Sequence, residues 1–259
     1  MPGSDLELLQ EAARESGEIA RRFWKQAPDT WHKAEGAGPV TEADMAIDAM
    51  LHDKLRAARP DYGWLSEETE DDPARLAARR VFIIDPIDGT RAFIEGSRDF
   101  AHSLAIAEDG EITAAVIYLP VRDRMFTASR NDPEARLNGR PIHARTRAKA
   151  DGATVLAAKC NFRPEHWPGG LPPVKPAFRS SIAYRLALVG EGRFDAMLTL
   201  RPTWEWDIAA GSLIAQKAGA VVTDLAGRRP RFNRPEPRLD GLIAAAPPLH
   251  ETLRQGLRG

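Results

Sequence analysis

A chain of 259 residues with 36 basic and 37 acidic side chains has no global field to recruit nucleic acid or an anionic membrane, and it can bury a sizeable core as one large domain or two packed halves. Its one cysteine, Cys160, excludes an internal disulfide framework and, with no Cys or His at ligand spacing, a thiolate zinc site; it reads as a packed thiol. The opening segment is acidic and amphipathic without an apolar leader core, and no later run approaches a membrane span, so the expectation is a cytoplasmic protein.

Helical and strand patterns alternate without an internal repeat, which favours a layered α/β or α+β fold over a bundle or a β-sandwich. Ser4 followed by Glu7 has the form of a capping box. Leu8, Leu9, Ala12, Ile19, Phe23 and Trp24 then recur at helical spacing, which predicts a first helix to about Lys25. After a Gly/Pro loop, Thr41 can cap a second helix with Asp44 in its first turn, Met45, Ile47, Leu51 and Leu55 along one face, and Pro60 as its stop. Short strands are expected at Trp64 to Leu65 and Val81 to Ile84. SLAIAEDGEITAAVIYLP reads as a hairpin turned at Asp109-Gly110, and RLNGRPI carries a second turn at Asn138-Gly139. The segment from Asn161 to Pro176 holds five prolines and two glycines, the composition of a loop or covering segment rather than of a linker. Beyond it come a helix near Ile182 to Val189, a strand FDAMLTL, a helix WDIAAGSLIAQKAG, a strand AVVTDL and a terminal strand-helix pair.

Three acidic stretches adjoin apolar elements: SEETEDD (Glu67, Glu68, Glu70, Asp71, Asp72), DPIDGT (Asp85, Asp88) and WEWDIAAG (Glu205, Asp207). Taken singly, each has a plain explanation: a solvated loop, a turn in which Asp, Pro and Gly each suit the backbone, and a helix N-cap. Taken together, they supply oxygen-only ligands from several segments with no His or Cys, a set that suits a hard divalent cation such as Mg²⁺ better than zinc. Four converging acids would otherwise repel one another severely. Gly89 and Thr90 follow Asp88 and can begin a helical turn, whose free N–H groups would face phosphate. Two metals roughly 4 Å apart can hold a phosphate ester, activate water and stabilise the leaving alkoxide without a protein nucleophile. Competing devices are missing from the sequence: there is no GxxxxGK[ST] loop, no GxGxxG after a strand, no GxSxG and no HExxH.

WLSEE, DPIDGT and WDIAAG, in this order and at roughly these separations, resemble the three signatures of the inositol monophosphatase superfamily, and the likeness extends loosely from GPVTEAD to the last strand. The resemblance implies an α/β (α+β) fold, layered as an α/β/α/β/α sandwich. Residues 1–150 would form an N-terminal α+β half carrying most metal ligands, and residues 151–259 a C-terminal α/β half supplying Asp207 and pocket residues. It also implies a metal-dependent phosphoric monoester hydrolase with about two or three Mg²⁺ ions and lithium sensitivity. Carried over by position, Glu67, Asp85, the Ile87 carbonyl, Asp88 and Asp207 would be metal ligands, with Asp85 bridging. Asp44 and Thr90 would orient and deprotonate the attacking water beside Glu67, and Gly89 and Thr90 would receive the phosphate.

Substrate choice rests on two positions. The animal-type enzymes carry a glutamate seven residues before the WD aspartate, where it contacts inositol hydroxyls; here Leu200 stands there and cannot accept those hydrogen bonds. RPTWEWD and SIAYRLALVGEG look more like the 3′(2′),5′-bisphosphate nucleotidases, in which a basic residue, here Arg185, precedes EG and would contact a second phosphate or the adenosine. The favoured expectation is therefore hydrolysis of 3′-phosphoadenosine 5′-phosphate. Inositol-1-phosphatase and histidinol-phosphate-type activities are the enzymatic alternatives, and a structural cation or phosphate-binding module is the non-enzymatic one. The expected partner is a small-molecule phosphate ester, with no nucleic acid polymer and no membrane, and the resemblance leaves room for a homodimer.

Overall fold

The computed structural model describes residues 3–32, 38–147 and 149–258. Helix α1 (Asp5–Phe23) starts with a full capping box: Ser4 Oγ accepts from the Glu7 amide, and the Glu7 carboxylate accepts from the Ser4 amide. It stops at Phe23, just short of the expected Lys25, because Trp24 turns to extended backbone (ψ 123°), and Lys25 and Ala27 follow with positive φ angles of 64° and 49°. Strands β1 (Thr30–His32) and β2 (Pro39–Thr41) pair antiparallel. The expected Gly/Pro loop between the first two helices falls partly on residues 33–37, outside the described residues. Thr41 ends β2 and caps α2 (Glu42–Ala58).

The larger sheet comprises β3 (Gly63–Ser66), β4 (Arg80–Asp88), β5 (Ala101–Glu108), β6 (Glu111–Leu119), β7 (Arg124–Ser129), β8 (Ala135–Leu137) and β9 (Arg140–Ile142), in sequential order. Only the β3–β4 pair is parallel. The one-turn helix α3 (Thr90–Ile94) follows β4. The two predicted hairpin turns have positive φ at both central residues, 51° and 79° at Asp109-Gly110 and 47° and 79° at Asn138-Gly139, as tight two-residue hairpins require.

The second sheet is mixed. Its strands are β10 (Thr154–Leu156), β11 (Lys175–Ala177), β12 (Ala196–Thr199), β14 (Val221–Thr223) and β16 (Leu242–Ala245), ordered β11-β10-β12-β16-β14, with β16 antiparallel to both neighbours. A small antiparallel pair joins β13 (Thr203–Trp204) to β15 (Arg238–Leu239). The helices of this half are α4 (Ile182–Gly190), α5 (Glu205–Lys217) and α6 (Pro247–Arg258).

Three apolar clusters define the layers. Leu9, Ile47, Leu51 and Leu55 of α1 and α2 pack on Phe82, Ile84, Leu104 and Ile106 of the large sheet. The opposite face of that sheet, with Ile83 and Ala105, shares one cluster with α4, α5 and the inner residues Leu156, Met197, Leu242 and Ala244 of the second sheet. The alternate residues Val155, Leu198, Ile243 and Ala245 face outward onto Leu249 and Leu253 of α6. The order is helix, sheet, helix, sheet, helix. The middle layer is tight: a Cβ at Gly211 of α5 would come within 2.5 Å of Leu186 of α4, so the glycine of WDIAAG permits the contact.

Two expectations need correction. Cys160 is exposed, not packed: it sits on the short turn Lys159–Phe162, whose inward side chain is Asn161. The proline-rich segment does cover the sheet, since Trp167 is buried and donates from Nε1 to the Asn161 carbonyl at 2.8 Å, but it also contains β11. A strand with Pro176 at its centre is tolerated there because β11 is an edge and that residue is not asked for a second ladder partner. Among the described residues no helix is long and apolar enough to cross a membrane.

Candidate metal centre

In a regular strand, residues three apart point to opposite faces, so Asp85 and Asp88 could not share a site. The pairing of β4 with β5 shows how they do. The ladder runs regularly to Asp85↔Ser103 and resumes at Asp88↔Ala101, so Pro86 and Ile87 stand opposite His102 alone. This two-for-one bulge returns Asp88 to the side of Asp85. Asp207 reaches the same place from the first turn of α5, whose entry is tied to the sheet by a 2.9 Å bond from Ser103 Oγ to the Trp206 carbonyl. Carboxylate oxygens of Asp85, Asp88 and Asp207 lie within 4.8 Å of one another.

Each neighbour is held by short-range chemistry. Asp88 Oδ2 accepts from Ser181 Oγ at 2.7 Å and from the Ala183 amide at 2.6 Å, so it also caps α4. Asp44 Oδ2 accepts from the amide and the hydroxyl of Thr41, while Oδ1 faces Thr90 Oγ1 at 3.3 Å. Thr90 Oγ1 is also 3.1 Å from the Ile87 carbonyl, and its single proton serves either acceptor. Gly89 precedes α3 in the left-handed region (φ 98°), where glycine is favoured. Glu67 is half-buried at the end of β3, its amide bonded to the Ile84 carbonyl at 3.2 Å. The buried Asp48, one turn beyond Asp44, accepts from Ser66 Oγ at 2.5 Å and Thr69 Oγ1 at 2.7 Å, which pins the loop bearing Glu67 and Glu68.

Burial dominates the electrostatics. Asp85 and Asp207 are pushed well above the ordinary carboxylate range, first by desolvation and then by the charges of Glu67 and Asp88, with that of Asp207 adding to the shift of Asp85. Asp88 is raised by burial to about 6, with the Ser181 hydroxyl and the first amides of α4 pulling it back. Asp44 is likewise raised by burial to about 6, against the Thr41 bonds. Both oxygens of Asp85 are buried without a hydrogen-bond partner among the described residues. A carboxylate in that state calls for a cation, and this His- and Cys-free oxygen set fits Mg²⁺.

The structure thus brings Asp44, Glu67, Asp85, Ile87, Asp88, Gly89, Thr90 and Asp207 into one neighbourhood. Arg185 is buried rather than on the surface: it donates from Nε to the Arg179 carbonyl at 2.5 Å, lies over the Phe178 ring at 4.6 Å, and its charge acts on Asp88 and Asp207. Leu200 is half-buried and packs against the outer cluster beside α6. Asp48, Ser103 and Ser181 escaped the sequence reading. Only Ser181 left a signal, as a serine directly before an apolar helical run.

The profile of the Inositol monophosphatase family matches residues 4–258. The chain is 32% identical over 234 residues to Nus factor SuhB of Escherichia coli strain K12, covering 86% of this chain and 85% of that protein. It is 31% identical over 233 residues to the inositol-1-monophosphatase of Rhizobium meliloti, covering 86% of each. Among solved structures, the Thermotoga maritima IMPase superposes with a TM-score of 0.83 at 27% identity, covering 97% of this chain and 96% of that one. The chain belongs to the inositol monophosphatase family, with its mixed α/β layered fold and phosphatase activity. These relatives are named SuhB and inositol-1-monophosphatase, so they carry the family and not the narrower likeness to bisphosphate nucleotidases.

Proposed function

We propose that the chain hydrolyses a small phosphate monoester by Mg²⁺-assisted attack of water, with 3′-phosphoadenosine 5′-phosphate as the substrate and AMP and phosphate as products. The observation that carries the chemistry is Asp85, buried beside Asp88 and Asp207 with neither oxygen hydrogen-bonded among the described residues. Glu67, Asp85, the Ile87 carbonyl, Asp88 and Asp207 would hold Mg²⁺, which supplies a lowered water pKa and charge neutralisation at phosphate and leaving oxygen. The chain's own residues handle the proton and the phosphate. Asp44, 3.3 Å from Thr90 Oγ1, takes up a proton through that hydroxyl as water attacks phosphorus. The ester P–O bond breaks, the leaving alkoxide takes a proton from solvent water, and Asp44 returns its own proton to solvent to reset the site. Amides at Gly89 and Thr90 orient the phosphate oxygens.

Two features support the nucleotide. Position 200, where the leucine side chain packs toward α6, offers no acceptor for ring hydroxyls. The charges of Arg185 and Arg201 bear on Asp207, and that of Arg185 on Asp88, giving this side of the centre the sign that a second phosphate would meet. The 31% identity to a protein named inositol-1-monophosphatase favours a second reading, inositol 1-phosphate. Phosphate release from 3′-phosphoadenosine 5′-phosphate, inositol 1-phosphate and histidinol phosphate, each with Mg²⁺ or with EDTA, tests both parts. Release from none of them with Mg²⁺ would end the hydrolytic proposal, and a wide kcat/KM preference for inositol 1-phosphate would end the nucleotide assignment alone.

A further inference from the structure

His102 is fully buried on β5, with Nδ1 2.5 Å from the Pro86 carbonyl oxygen and Nε2 without a partner among the described residues. A carbonyl can only accept, so Nδ1 carries the proton and Nε2 is a bare lone pair. The position of this bond is what matters. Pro86 lies at the bulge where the β4–β5 ladder is interrupted, and its carbonyl, displaced from regular pairing, is taken by the single residue opposite. On either side of Pro86 stand the Asp85 carboxylate and the Ile87 carbonyl, the latter 3.1 Å from Thr90 Oγ1. His102 faces the cluster of α1 and α2, between Phe100 and Tyr118, with ring centroids 6.4 and 6.2 Å away. Its neighbour Ser103 faces the other way and holds the Trp206 carbonyl ahead of Asp207. Adjacent residues of β5 therefore steady the two chain segments that supply the carboxylates.

We infer that His102 is a positioning residue for the metal centre: its Nδ1–H holds the Pro86 carbonyl and so sets the direction of the oxygens at Asp85 and Ile87. This inference rests on the reading of Asp85, Ile87, Asp88 and Asp207 as Mg²⁺ ligands. Because only Nδ1–H is used, an asparagine, whose amide nitrogen falls near the place of Nδ1, can replace the function, although it leaves part of the ring volume unfilled. A glutamine reaches toward the place of Nε2 and cannot, and neither can a leucine.

The test is a calorimetric Mg²⁺ titration of the wild-type chain and of His102→Asn, His102→Gln and His102→Leu, with thermal midpoints in EDTA measured alongside. Loss of a group that orients a metal ligand weakens metal affinity by about 10- to 100-fold. That loss is expected for Leu and Gln, with Asn within about threefold of wild type on the same scale, whatever the order of their thermal midpoints. If His102→Leu does not fold, the contrast between Asn and Gln decides. Wild-type Mg²⁺ affinity in the Gln or Leu variant, or equal weakening in Asn and Gln, would overturn the inference. A wild-type chain that takes up no Mg²⁺ would overturn it together with the metal-centre reading, and the two failures are told apart by the wild-type titration.

Discussion

The centres of the two sheets use the same kind of ladder for different ends. In the second sheet, β12 and β16 pair without interruption from Ala196↔Ala245 to Thr199↔Leu242, and their side chains alternate cleanly between the middle cluster and the α6 cluster. In the first, β4 and β5 are as deeply buried, but the ladder breaks between Asp85 and Asp88. The unbroken ladder pairs the two strands in regular order and leaves their apolar side chains packing to do. The broken one releases the Pro86 and Ile87 carbonyls to other partners and turns two acids to one side. Regularity serves the core, and its local interruption serves the chemistry.

Substitutions at the two ladders should therefore have separable effects. The largest is expected at the break. Asp85→Asn should remove nearly all phosphate release at any Mg²⁺ concentration, while the thermal midpoint in EDTA stays level or rises, because a buried carboxylate facing Glu67, Asp88 and Asp207 is gone. Substantial turnover, or a large drop in the midpoint, would contradict the division. Thr90→Ala should lower kcat by about 10²- to 10⁴-fold, the span of a lost acid–base element. Mg²⁺ affinity by calorimetry should fall far less than kcat, since the hydroxyl touches one proposed ligand, the Ile87 carbonyl, and none of the clustered carboxylates.

On the regular side, Leu253→Ala removes a fully buried side chain that α6 presses onto the second sheet. It should cost about 2–5 kcal/mol in denaturant unfolding and leave KM and Mg²⁺ affinity at wild-type values. The last effect concerns pH. Burial lowers His102 to about 4 from 6.5, so the unfolded chain takes up the proton first as pH falls. Its neutral form contributes stability that is complete above pH 6.5 and lost as pH falls through about 4. In EDTA, the stability of the wild-type chain relative to His102→Asn should thus decline by up to about 1.4 kcal/mol per pH unit in that window. A pH-independent difference would show that the histidine is not held neutral by burial.

Much of the architecture was legible. The capping box at Ser4, the Thr41 cap and the Asp109-Gly110 and Asn138-Gly139 turns depend on residues close in sequence, and each forms. The set of WLSEE, DPIDGT and WDIAAG identified the family before any geometry, because few chemistries need those acids in that order. β11 was hidden by Pro176, which only an edge position tolerates, and Cys160 was misjudged because a hydrophobic preference says nothing about which side of a short turn faces solvent.

What the sequence by itself determined are the local elements, the layered class and the kinds of atoms at the centre, since caps, turns and periodicity are settled by neighbours along the chain. The tertiary structure alone decided that Asp85 and Asp88 share a side, that Asp48 holds the Glu67 loop, that Ser181 caps α4 against Asp88, and that His102 stands opposite Pro86. A bulge exists only relative to the strand it fails to match, and a buried hydroxyl or imidazole finds its partner only when distant segments enclose it.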